Sequence, residues 1–116
     1  MAIVIKLMAD CSQFPLWRGG DSFDNVGEID PATLPISVEL QTQLRAWHTR
    51  YYAQYNLKDF DQSRFFTDEE VAVFDRQGLV LWQQLRRELA PDYEVWYFSE
   101  SARRVFKHPN ELLGVA

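Results

Sequence analysis

The spacing of hydrophobic and polar positions changes several times along the chain, and each change predicts an element. Residues 2–8 carry Ile3, Val4, Ile5 and Leu7 around one charge, Lys6. That alternation predicts a strand with Ile3, Ile5 and Leu7 on one face and Val4 and Lys6 on the other. Residues 10–36 keep no period. Pro15, Gly19, Gly20, Gly27, Pro31 and Pro35 recur too often for a helix. Two short strands fit, Leu16–Trp17 and Phe23–Ile29, with Gly19-Gly20 as the turn between them. Irregular stretches of this length often carry function.

From Ser37 the period becomes helical. Ser37 is an N-cap and Glu39 a first-turn acid, suited to the helix dipole. Leu40, Leu44, Trp47 and Tyr51 then form one apolar stripe that Tyr55 extends, so the helix is expected to end near residue 55 or 56. Gln41, Arg45, Thr49 and Gln54 fall on the opposite face. Residues 56–66 read as a connection pinned to the body by Phe60, Phe65 and Phe66. Thr67 with Glu70 three positions on is a capping box, and Phe66 is placed to staple onto Val71. Val71, Phe74, Gly78, Leu81, Leu85 and Leu89 make the buried stripe of a second helix, which Pro91 ends. Glycine costs a helix up to ~1 kcal/mol relative to alanine, so Gly78 marks a place where this helix packs closely. Tyr93–Phe98 is a second clear strand, 99–102 a turn and 103–107 a returning strand. The tail, 109–116, reads as loosely held or as a short helical turn. The expected fold is one α+β domain over residues 1–116, a small, mostly antiparallel sheet with two helices packed on one face. Its core draws on Ile3, Ile5, Leu40, Leu44, Trp47, Tyr51, Phe74, Leu81, Leu85, Val95 and Tyr97.

Composition narrows the function classes. Apolar residues make up 47% of the 116 and charged residues 25%, which excludes a disordered or low-complexity chain. No apolar run approaches the ~18 residues of a membrane span. The opening MAIVIKLMAD is a poor signal peptide, so a cytoplasmic protein is expected. The single cysteine, Cys11, excludes an intrachain disulfide. Twelve Lys and Arg against 17 Asp and Glu leave a net charge of −5, which disfavours nucleic acid and suits a basic protein partner. Aromatic residues reach 15%, a load that serves a small core and a binding surface alike.

No catalytic residue, cofactor site or metal site emerges from the motifs. Cys11 needs a base to become a nucleophile. His48, the nearest candidate in type, lies mid-helix beside Trp47 with nothing local to hold it toward Cys11. Cys11 therefore reads as an inert, buried or half-buried thiol. The acids of residues 21–30 miss the spacing of a calcium loop, and His48 and His108 have no ligand neighbours for zinc. Arg103, Arg104, Lys107 and His108 form a small basic cluster suited to pairing with Glu94 or Glu100. A second acidic concentration runs from Asp59 to Asp75. Asp68, Glu69 and Glu70 suit a helix N-terminus. Asp59 and Asp61 have no such reason and sit between phenylalanines, as a docking loop for a basic protein would.

Several phrases carry a resemblance. They are K-L-M-A-D-C at 6–11, F-P-L-W at 14–17, N-V-G-E-I-D-P at 25–31, L-P-I-S at 34–37 and P-D-Y-E-V at 91–95. Together, over residues 5–98, they resemble a family of small bacterial proteins, which implies a bacterial cytosolic domain and carries over no functional residue. In size, acidity and lack of catalytic motifs the chain is similar in type to immunity proteins of toxin systems. The reading that follows is a non-catalytic, acidic protein-binding module of the toxin-neutralising kind, with Trp17, Asp59 and Asp61 as partner-binding residues. The alternative is a small-ligand binder or enzyme using the Asp10–Asp30 region, with Cys11 and the nearby acids lining a pocket against Trp17.

Overall fold

The structure, a computed structural model, describes residues 2–19, 27–56 and 58–114. In chain order the elements are β1 (Ile3–Leu7), β2 (Leu16–Arg18), β3 (Glu28–Ile29), α1 (Val38–Tyr52), α2 (Asp68–Leu89), β4 (Tyr93–Ser99) and β5 (Arg104–Phe106). The strands form one sheet in the order β3-β2-β1-β4-β5. All neighbours are antiparallel except the central pair, where β1 and β4 run parallel with Ile5 opposite Val95 and Leu7 opposite Tyr97. A parallel pair needs a long crossover, and everything from β2 to α2 supplies it. The result is the expected α+β class, with both helices packed on the sheet.

Alternation sets the inner face. Ile5, Leu7, Leu16, Val95, Tyr97 and Phe106 are buried toward the helices, which contribute Leu40, Leu44 and Trp47 from α1 and Phe74, Leu81, Trp82 and Leu85 from α2. Both buried indoles find acceptors: Trp47 Nε1 donates to the Phe74 carbonyl at 3.0 Å and Trp82 Nε1 to the Val95 carbonyl at 2.7 Å. Trp47 stacks on Phe74 and Trp82 on Tyr97. Gly78 sits where these rings converge. A Cβ built there would lie 2.3 Å from the Tyr97 hydroxyl and 2.8 Å from Trp47, so the close packing read from the sequence is real.

The helix ends follow their local chemistry. Ser37 Oγ accepts from Leu40 N at 3.2 Å, and Glu88 at the far end of α2 accepts from Ser37 N at 2.6 Å and Ser37 Oγ at 3.1 Å. One carboxylate thus ties the start of α1 to the end of α2. The α2 capping box is complete, with Thr67 and Glu70 bonding reciprocally. Phe66 lies against Phe74, one turn deeper than Val71, with ring centroids 5.4 Å apart.

The structure corrects the sequence expectations at three places and adds one observation at Lys6. Ile3 is 57% exposed, because it opens β1 at the margin of the sheet, bonded to Asp92 rather than covered by a helix. Lys6, on the face away from Ile5 and Leu7 as expected, is only 3% exposed, since the central position of β1 places Trp17 and Trp96 opposite it on either side. α1 stops at Tyr52, and Gln54 is buried rather than on a polar face: it donates to the Tyr51 carbonyl and accepts from Phe66 N, closing the connection. Finally, Phe60 and Phe65 do not pin that connection; they are 64% and 52% exposed, and only Phe66 reaches the core.

The strands read at Leu16–Trp17 and in Phe23–Ile29 appear as β2 and β3, paired with Leu16 opposite Ile29. Residues 20–26, with Asp21 and Asp24, lie outside the described residues. The tail forms a short 3-10 turn at Pro109–Gly114, with Leu112 packed on the core.

Candidate functional site

Because β1 and β4 run parallel, their C-terminal ends share one edge of the sheet. Leu7 and Tyr97 are paired, so Asp10 and Glu100, each three residues further on, lie at the same end. The buried Asp75 of α2 faces β4 beside them. Its carboxylate accepts from the Tyr97 hydroxyl, from Ser99 Oγ at 2.9 Å and from Glu100 N at 3.2 Å. Asp75 ends the acidic concentration that begins at Asp59, and its helical position one residue after Phe74 is the only local sign that it turns inward.

Crowding of acids marks this edge electrostatically. Burial raises the Glu100 carboxyl above the ordinary range, opposed by the Arg103 guanidinium at 3.1 Å and reinforced by Asp75 and Asp10. Burial likewise raises the Tyr51 phenol, with the Tyr55 hydroxyl, Glu100 and Asp10 adding to it. Because the folded state raises the Glu100 pKa, its ionised form opposes folding at neutral pH, and that penalty disappears as pH falls below the unfolded value. Glu100→Gln is therefore expected to raise the melting temperature at pH 7 and to change it little at pH 4. A variant melting below the wild type at pH 7 would show that the exposed Arg103 pair outweighs the burial.

Tyr51 leads outward from this edge. Its ring contacts Tyr55 at 5.9 Å, Tyr55 meets Phe65 edge-on at 5.5 Å, and Phe65 contacts Phe60 at 6.0 Å. A line of aromatic side chains thus runs from the acidic edge to the loop holding Asp59 and Asp61. Both acids are exposed. Asp59 has a local role that the sequence did not reveal: it caps the 3-10 turn Phe60–Gln62, accepting from Asp61 N at 3.2 Å. Trp17 is half-buried and donates from Nε1 to the Met8 carbonyl at 3.0 Å. It stands on the sheet face away from the helices, so the structure does not bring it together with Asp59 and Asp61.

The Asp10–Asp30 region divides likewise. Cys11 is exposed, not buried. With Ser12, Gln13, His48, Thr49 and Tyr52 it lines a shallow hollow of about 520 Å³. His48 is held toward this loop after all, its Nε2 3.0 Å from the Asp10 carbonyl and 3.5 Å from Ser12 Oγ. A carbonyl only accepts, so Nε2 carries the proton there and fastens the loop to α1. The acids downstream serve the backbone: Glu28 accepts from Gln13 N and Phe14 N, and Asp30 caps the turn Pro31–Thr33 and pairs with Arg45 at 3.6 Å. Trp17 does not line this hollow, and Asp21 and Asp24, the other acids of that reading, lie outside the described residues. Among the described residues, no three His, Cys, Asp or Glu side chains converge as metal ligands. No described helix is long and apolar enough to cross a membrane.

Fold and surface together define an acidic α+β protein with its aromatic side chains partly turned outward. Residues 3–100 match the family model described as Serratia CdiI immunity protein-like, and the chain belongs to that family. No curated protein matches it.

Proposed function

We propose that this protein neutralises a protein toxin by binding it, in the cytoplasm, without itself catalysing a reaction. Membership of an immunity-protein family over residues 3–100 is the observation that carries this reading. The net charge of −5 and the exposed Phe60 and Phe65 beside Asp59 support a basic partner. Charge of this kind raises association rates and selects partners more than it raises affinity.

The test is growth. A toxin-like protein encoded beside this gene should arrest cells when expressed alone and spare them when this protein is co-expressed. Absence of both rescue and a stable complex would sink the proposal. Within such a complex, Asp59→Lys with Asp61→Lys should slow association severalfold and flatten its dependence on salt. Trp17→Ala should mainly speed dissociation, for a partner large enough to reach the sheet face as well. Unchanged kinetics in both variants would move the interface elsewhere.

A further inference from the structure

We propose that the exposed rings of Phe60 and Phe65 and the half-buried ring of Tyr55, set between Asp10 and Glu100 at one end and Asp59 at the other, form the docking surface for an arginine-bearing segment of a basic protein. The inference rests on the immunity reading for the partner being a toxin. It goes beyond that reading in naming the surface and the side chain recognised.

The fold does not require these rings to be outside. Phe66 anchors the connection on Phe74, and Gln54 bonds it to α1 from both ends of its amide. Phe60 and Phe65 add nothing comparable; they contact each other and Tyr55 while more than half of each remains in water. Contiguous exposed rings on a small domain mark an interaction surface. Its electrostatic frame is assembled from distant parts of the chain, since the β1–β4 pairing brings Asp10 and Glu100 to one end, reached through Tyr51. Arg103 pairs with Glu100 there. Lys58 and Arg64 border the loop at the other end, and the acids of the α2 N-terminus follow it.

This combination selects arginine. A guanidinium is planar, stacks on aromatic faces and forks onto carboxylates, whereas an ammonium is a compact, strongly hydrated charge. A nucleic acid would meet like charge here, and so would a second copy of this chain.

The experiment needs no toxin. Isotope-labelled full-length protein is titrated at low salt with hexa-arginine amide and, separately, with hexa-lysine amide, following backbone amides by NMR. Hexa-arginine should shift amides of residues 10–12, 55–66 and 100–103, and bind roughly twofold to fivefold more tightly than hexa-lysine, the range of exposed cation–π contacts. Phe60→Ser with Phe65→Ser should abolish the preference. Both positions are exposed, so amides elsewhere should keep their wild-type shifts. Equal binding of the two peptides, shifts confined to other acids, or no binding at all would overturn the proposal. The growth assay separates the two readings: rescue and toxin affinity unchanged by the double substitution would remove this surface and leave toxin neutralisation standing.

Discussion

Replacing Asp75 with alanine should cost about 2–5 kcal/mol of stability in urea denaturation, because it strands two buried donors and one part-buried donor at once. The Tyr97 hydroxyl, Ser99 Oγ and Glu100 N all bond this carboxylate, and Tyr97 and Ser99 are buried. The Tyr97 hydroxyl also lies 3.3 Å from the Asp75 carbonyl, a long contact that would remain in the variant. A domain of this size has about 5–15 kcal/mol in total, so the variant should be visibly less cooperative or partly unfolded. Asp75→Asn separates hydrogen bonding from charge. Its amide oxygen still accepts from Tyr97 and its nitrogen can donate to Ser99, so most of the stability should return. Equal losses in the two variants would show that charge, and not donor satisfaction, holds this edge.

Gly78→Ala is the second large effect, and its sign is the informative part. Helix propensity alone favours alanine by about 1 kcal/mol at an interior helical position. Against this, the new methyl would meet the Tyr97 hydroxyl at 2.3 Å and the Trp47 ring at 2.8 Å. Neither neighbour can swing away, since Trp47 is stacked on Phe74 and bonded to its carbonyl, and Tyr97 is bonded to Asp75. Overpacking a rigid core costs typically 1–3 kcal/mol, so a net loss is expected in thermal or urea melts. A more stable variant would mean that the two rings separate easily.

Those two residues also show how far the sequence could be read. Gly78 was legible because a glycine inside a strong helical stripe has few explanations other than close approach. The stripes, the caps at Ser37 and Thr67 and the strand at Tyr93 were legible for a similar reason: each depends on neighbours within one or two turns. Asp75 was not, because its reason lies on β4, more than twenty residues away, and nothing local separates a buried carboxylate from a solvated one. The same holds for Lys6, whose burial follows from its place between Trp17 and Trp96. Nothing local to α1 shows that His48 is held toward the loop after β1, because its partner, the Asp10 carbonyl, lies 38 residues away in the chain. In the candidate site, Asp59 stood out by composition. Its continuity with Glu100 runs through ring contacts between residues 51, 55, 65 and 60, and the approach of Asp10 to Glu100 needs the parallel pairing; no local pattern announces either. Phe60 and Phe65 misled because aromatic residues in a connection are equally good as anchors and as exposed contacts.

That parallel pairing also bears on how the protein is made. The middle of the sheet is β1 against β4, residues 3–7 against 93–97. As the chain leaves the ribosome, β1 emerges first and can gain β2 as a neighbour, but its other edge stays open until residue 97 has appeared. During that interval Ile5 and Leu7 lack half of their partners, and the two helices have no completed floor to settle on. Closure must then bring together segments some ninety residues apart, and pairings of such long range are slow to form. Half-made chains with an open strand edge are prone to associate, so a new chain would reach its folded surface only once β4 has docked beside β1.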